Sequence, residues 1–151
     1  FIKKFKLNNN LNNINVLNYL LSDVEEMYNV QNLDLPNANY VKSIKSTAIK
    51  SITLDGLVHN NIIKHKIGLL HFDVEGMELE VLKGSINVIK RDKPIIIVET
   101  LGKSEKNSML NNFILNLGYR IYKTVQESCS FGDISDKKFC RNHIYIPFKK
   151  N

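Results

Sequence analysis

The sequence has no tryptophan, three prolines and two cysteines in 151 residues. Cys129 and Cys140 are too few for a disulfide framework in a chain of this length. Neither has a C-x-x-C partner, which removes the usual spacing of a structural zinc site. A reducing, cytoplasmic setting is therefore expected. Glycine is also scarce: the seven stand at 56, 68, 76, 84, 102, 118 and 132. No two form G-x-G, so the chain lacks the Gly-rich turn that lets backbone approach a nucleotide-type cofactor. No acid ending a second strand, to hold ribose hydroxyls, stands in the expected order either. No apolar run is long enough to cross a bilayer, and the apolar part of Phe1-Ile-Lys-Lys-Phe-Lys is too short for a secretory signal. No membrane partner is expected. Arginine is rare, and the net charge of +6 sits on scattered lysines. Nucleic-acid readers show Arg clusters and stacking aromatics instead, so nucleic acid is not an expected partner. Abundant Asn, Lys and Ile read as compositional bias.

What is present is ordinary for one globular domain spanning 1–151: 43% apolar and 24% charged residues, within the usual range. There is no initiator Met at position 1, so the chain reads as a fragment. Its organising stretch runs from Ile67 to Glu99. The apolar run Ile67 to Phe72 stops at Asp73, and Ile95 to Val98 stops at Glu99. Runs apolar at nearly every position suit strands buried on both faces, as in parallel sheets. Between them Leu79, Leu82, Ile86 and Ile89 recur at helical spacing, with Val81 and Val88 widening the stripe. The pattern predicts a right-handed βαβ unit.

Elsewhere the pattern is thinner. Phe1 to Asn13 begins as a helix and turns at its asparagines. Strands are predicted over Asn15 to Ser22 and Glu25 to Val30. Gln31 to Ser46 has turn residues and little pattern. A strand carrying Ile49, Ile52 and Leu54 should end at Asp55-Gly56, followed by a short helix over Leu57 to Lys66. After a polar loop from Thr100 to Lys106, Leu110, Phe113, Ile114 and Leu117 mark a helix that Gly118 ends in the C′ position. Tyr119 to Val125 and His143 to Phe148 read as strands, with a polar excursion between them from Gln126 to Lys138.

Several of these residues together resemble a known family. Asp73-Val-Glu-Gly-Met-Glu-Leu-Glu-Val-Leu-Lys-Gly84, followed by a Pro-led strand ending in Val98-Glu99, is similar to the signature of FkbM-like methyltransferases. Leu21-Ser-Asp23 resembles the end of that family's third strand. Thr53-Leu-Asp55 with Leu57 resembles the segment before its fourth, and Asn142-His-Ile-Tyr-Ile-Pro147 its closing strand. The resemblance implies an α/β fold: a mostly parallel Rossmann-like methyltransferase sheet with helices on both faces. It also implies that strands one and two, with their Gly-rich turn, precede this chain. In the order 3-2-1-4-5-7-6, strand three would then lack its partner and strand four would have a bare edge.

The candidate site follows from the carboxyl ends of the strands, where open α/β sheets bind ligands. Asp73 and Glu99 end successive strands, and Glu75 and Glu78 crowd the same end. The functional reading of Asp73 is to orient an acceptor hydroxyl or take its proton; the bland reading is a cap of the turn. Glu75 and Glu78 either help hold the acceptor or stabilise the first helical turn. Glu99 is a second rim acid or a solvated strand end. Four carboxylates could also hold a divalent metal, which takes several oxygen ligands. By resemblance, Leu21, Ser22, Asp23 and Asp73 touch the cofactor, S-adenosylmethionine, with Ser22 and Asp23 beside its adenine. His71 and His143 are expected to be satisfied core or strand residues, and Asp55 a turn or cap residue. Tyr119, Tyr122 and Tyr145 look like packing.

The resemblance implies an S-adenosylmethionine-dependent O-methyltransferase. Its partner would be a small-molecule or glycan acceptor, with the hydroxyl on a sugar or a secondary metabolite. The alternative is a non-catalytic α/β remnant or interaction module without cofactor binding, which the missing Gly-rich turn keeps open. The oligomeric state is not legible.

Overall fold

The computed structural model describes residues 6–7, 9–29, 48–74, 76–99, 105–125, 128–131 and 142–148. Two sheets are formed. The first orders three short strands, β1 (Leu20–Leu21), β3 (Ala48–Ile52) and β2 (Met27–Asn29), with β3 in the middle. The second has the order β4-β5-β8-β6-β7: β4 is Leu69–Phe72, β5 Ile95–Glu99, β8 Asn142–Pro147, β6 Tyr119–Val125 and β7 Ser128–Phe131. The helices with both bounds described are α1 (Leu54–His59), α2 (Glu78–Lys83), α3 (Ile86–Asp92) and α4 (Glu105–Asn116), and Lys6 and Leu7 are also helical.

The βαβ unit is present, since β4 and β5 pair in parallel from Leu69 with Ile95 to Phe72 with Val98. The sheets are mixed, however, and a mostly parallel sheet is not what forms. Among the described residues β1–β3 and β4–β5 are parallel, while β2–β3, β5–β8, β6–β7 and β6–β8 are antiparallel. The cause lies in the last connections. β7 turns back on β6, and β8 then inserts between β5 and β6 running against both. The strand ending at Ser22 does not lack a partner either, because β1 pairs with β3. β4 has an open edge among the described residues, as the sequence implied.

Leu70, Phe72, Ile96 and Val98 share a single core with Val81, Leu82, Val88 and Ile89 of α2 and α3, and with Leu110 and Ile114 of α4. Helices α2, α3 and α4 pack on one face of the larger sheet. Leu69 is 53% exposed and Ile95 38%, while Leu70 and Ile96 beside them are 8% and 0% exposed. Strand alternation puts neighbours on opposite faces, so one face is packed and the other open.

The predicted helix between β4 and β5 is two helices with a break at Gly84-Ser85. A Cβ on Gly84 would lie 2.1 Å from the Ser22 carbonyl oxygen; only glycine lets the backbone after β1 pass there. Ser85, fully buried, returns its hydroxyl to the Val81 carbonyl at 2.6 Å. α1 starts three residues earlier than expected because Thr53 caps it, its Oγ1 accepting from Gly56 N–H at 2.8 Å. Asn60 and Asn61 end it, Asn61 with φ 57°. Met27–Asn29 and Tyr119–Val125 fall where strands were expected, and Gly118, φ 84°, sits just past α4. Only Leu20–Leu21 of the strand predicted over Asn15 to Ser22 is paired. The loop expected over Gln31 to Ser46 lies outside the described residues.

Candidate active site at the carboxyl rim of β4 and β5

Phe72 and Val98 are the last paired residues of β4 and β5. One step on, Asp73 and Glu99 therefore stand next to each other at the carboxyl end of the parallel pair. Asp73 is exposed and Glu99 half-buried. Gly76, φ 98°, then turns the chain into α2. A positive φ of this size strains any residue with a Cβ, which accounts for glycine there.

Glu78 is tied to this turn. Its Oε1 accepts from the Gly76 N–H at 3.1 Å, and it is the first residue of α2. That geometry fits a carboxylate holding the turn and offsetting the helix dipole. Glu75 lies outside the described residues. Glu80, not singled out from the sequence, buries its Oε2 with no partner among the described residues. No group of three His, Cys, Asp or Glu among the described residues is arranged to hold a metal ion.

Leu21, Ser22 and Asp23 end β1. Leu21 packs against the core. Ser22 is buried; its N–H donates to the Ile52 carbonyl at 3.1 Å, and its hydroxyl to Asp23 Oδ1 at 3.2 Å. The Asp23 side chain is exposed. Because the Ser22 carbonyl sits over Gly84, this segment meets the far end of α2. Six helical residues separate it from the turn carrying Asp73, about 9 Å along the helix at 1.5 Å per residue. The contacts thus join Asp73, Glu78 and Glu99 in one region, and seat Ser22 and Asp23 one helix length away.

The acid of Thr53-Leu-Asp55 has a different task. Asp55 Oδ1 accepts from Val88 N–H at 2.9 Å and Oδ2 from Asn87 N–H at 3.0 Å. It caps α3, a helix from another part of the chain, whose own Ser85 makes no side-chain cap. The expected capping role holds, but its recipient was not legible from local spacing.

The histidines divide. His143 is buried as expected, its Nδ1 3.3 Å from Asn111 Oδ1 and 3.4 Å from the Tyr145 hydroxyl. The Tyr145 hydroxyl also donates to Asn111 Oδ1. This cluster fastens α4 to β8, and burial raises the Tyr145 hydroxyl above its usual range. His71 is not the core residue expected. It is exposed on β4, where Leu70 and Phe72 take the packed side. The Asp92 lock was missed altogether. Its Oδ2 accepts from Ile67 N–H at 2.9 Å, and Arg91 meets both oxygens at 2.7 Å. The Arg91 hydrogen bonds hold the Asp92 carboxyl down at about 2, against the desolvation that raises it. An acid in the last turn of a helix opposes the dipole, a signal of some other task.

Clefts open elsewhere among the described residues. One of about 630 Å³ lies between α1 and α3, lined by Asp55, Gly56, His59, Asn87 and Arg91 among others. Another, of about 700 Å³, is lined by Leu7, Val16, Leu17, Ile62 and Ile63 with neighbouring cations. Neither includes Asp73, Glu78 or Glu99.

The fold and rim define an α/β protein with mixed sheets and acids at a parallel strand end. The family described as "Methyltransferase FkbM domain" matches residues 2–121. The chain belongs to the FkbM methyltransferase family. It is also similar in fold to the crystal structure of methyltransferase FkbM from Methylobacillus flagellatus KT, with a TM-score of 0.61 and 18% sequence identity. That similarity covers 96% of this chain and 32% of the other, so this chain spans about a third of that protein's length. No curated protein matches the sequence.

Proposed function

We propose that this chain is the acceptor-side part of a single Rossmann-like domain that transfers a methyl group from S-adenosylmethionine to a hydroxyl. The acceptor is a sugar or a secondary metabolite, and the setting is cytoplasmic. The observation that carries this reading is the juxtaposition of Asp73 and Glu99 across the parallel β4–β5 pair, in a chain of a methyltransferase family. The seven glycines contain no G-x-G. Residues outside this chain, with the first two strands, would then supply most of the cofactor contacts, and Ser22 and Asp23 would reach the adenine.

Methyl transfer from a sulfonium needs little covalent help from the protein. The oxygen must lie in line with the methyl carbon and lose its proton as the bond forms. Asp73 can orient the hydroxyl, and Glu99 a neighbouring one. Glu78 keeps the turn in place. The donor supplies the methyl group and leaves as a thioether. The test is transfer of labelled methyl from S-adenosylmethionine to sugar hydroxyls by the full-length protein. Product formation that depends on Asp73 supports the reading; its absence across sugar and polyol acceptors rejects it.

A second reading rests on the same missing G-x-G: a non-catalytic remnant that keeps the fold without the cofactor. Calorimetry on the full-length protein separates the two, since the remnant binds no S-adenosylmethionine.

A further inference from the structure

We infer that Asn142 is a third residue of the acceptor site, and that its carboxamide donates to an ether oxygen of a neutral glycoside whose hydroxyls face Asp73 and Glu99. This deepens the methyl-transfer reading and rests on it. The geometry comes from strand register. β8 runs against β5, so its first residue lies at the carboxyl end of β5. Glu99, the last residue of β5, pairs in register with Asn142. Phe72 pairs with Val98 one step earlier, which sets Asp73 beside Glu99 on the other side. Asp73, Glu99 and Asn142 thus form one row across three adjacent strands. Neighbouring strands lie about 4.8 Å apart, so the row spans about 10 Å at the backbone. The placement follows from the strand ends alone, and rim residues keep it whatever covers the two faces of the sheet.

Two further observations single out Asn142. Asparagine is disfavoured in strands, yet it opens β8 ahead of the apolar and aromatic residues that pack. The residue behind it is firmly held. His143 is buried with its Nδ1 3.3 Å from Asn111 Oδ1, and the fully buried Tyr145 donates to the same oxygen. These bonds fix the start of β8 against α4, and with it the backbone that carries Asn142. Binding groups need such support behind them to hold their geometry. Strand alternation sends the Asn142 side chain away from His143 and Tyr145, and it is exposed.

The chemistry of the row selects the ligand. Ionised carboxylates only accept hydrogen bonds, whereas a carboxamide also donates through two N–H groups. Asp73 and Glu99 therefore suit hydroxyls, the one that is methylated and a neighbour. Asn142 adds a donor to the row and meets an oxygen that carries no proton. Two carboxylates side by side repel an anionic acceptor, so that oxygen belongs to an ether and not to an acid. A pyranoside presents this set, with hydroxyls next to ring and glycosidic ether oxygens. A uronate or a sugar phosphate would bring like charge to the rim. Asn142 takes no proton and forms no bond in the transfer. It sets which molecule sits with its hydroxyl in line with the methyl carbon.

The experiment uses the full-length protein, labelled S-adenosylmethionine and two acceptor probes, a methyl hexopyranoside and the corresponding methyl hexuronide. The wild type is expected to favour the neutral glycoside in kcat/KM by about 10-fold or more. Asn142→Asp keeps the side-chain shape, removes the donor and adds a third carboxylate. It should raise the KM for the glycoside by about 10-fold, the worth of one lost hydrogen bond, while kcat falls far less. The KM for S-adenosylmethionine and the thermal midpoint should hold. Asn142→Gln, which keeps the amide, should lose less affinity. An unchanged glycoside KM in Asn142→Asp, or a KM that rises in step with a falling thermal midpoint in both variants, would overturn the role of Asn142. A wild type that methylates the uronide as well as the glycoside, or that binds S-adenosylmethionine and methylates neither, would overturn the substrate class. A wild type that binds no S-adenosylmethionine by calorimetry would overturn the methyl-transfer reading itself, a result independent of either variant.

Discussion

Asp73 and Asp92 show how differently one residue type behaves in this chain. Asp73 is exposed at a strand end and makes no hydrogen bond or ion pair among the described residues. Asp73→Asn in the full-length protein should lower turnover by about 100-fold or more if the residue positions the reacting oxygen, with the thermal midpoint unchanged. Parallel losses of activity and stability would make it a structural residue. Asp92 is the reverse case, a buried carboxylate fastening Ile67 at the entry to β4. Asp92→Ala should cost about 1–3 kcal/mol, the usual penalty for losing a buried, charge-assisted partner, read as a lower denaturation midpoint. Its carboxyl lies below the ordinary 3.8, at about 2. The fold therefore favours the ionised form. Its contribution is complete above the ordinary value and is lost as the pH falls through about 2. An acid titration in which Asp92→Ala and wild type lose stability in parallel would contradict this. Tyr119 is a third case. Burial pushes its hydroxyl up to about 12, and its oxygen has no partner among the described residues. Tyr119→Phe should thus leave the thermal midpoint unchanged or raise it.

At the scale of elements, the chain is built from short pieces tied by distant residues. α3 takes its cap from Asp55, more than thirty positions upstream. Asp55→Ala should cost about 1 kcal/mol, as lost caps do. Gly84 lets β1 run into Ser22 and Asp23 beneath the α2–α3 break. Gly84→Ala would press a methyl group into backbone carbonyl, costing about 1–3 kcal/mol or more, and equilibrium unfolding should show it as the more damaging change of the two. These ties explain what could be read from the residues alone. The β4–β5 unit was legible because Ile95 to Val98 is apolar throughout and the acids stop each run. The break at Gly84 was not, since Leu79, Leu82, Ile86 and Ile89 hold helical spacing across it. The contact that causes the break comes from Ser22, which no local window contains. His71 misled because an apolar run implies two buried faces, whereas β4 buries only one.

For the whole molecule, the larger sheet presents a packed face, an open face and an unpaired β4 edge among the described residues. Its direction of pairing was legible for β4 and β5 but not for β8, because insertion between β5 and β6 is a matter of topology and not of periodicity. The missing G-x-G has a consequence for binding. The 151-residue chain alone should bind S-adenosylmethionine weakly or not at all, and tight binding by calorimetry would refute that. The site reading requires that Asp73 and Glu99 face one small molecule during the reaction. The most direct measurement is a crystal structure of the full-length protein with S-adenosylhomocysteine bound. The account predicts the cofactor sulfur facing the rim formed by Asp73 and Glu99, with space for a hydroxyl between them. A cofactor seated in the α1–α3 cleft or elsewhere, with Asp73 and Glu99 turned to bulk solvent, would contradict it.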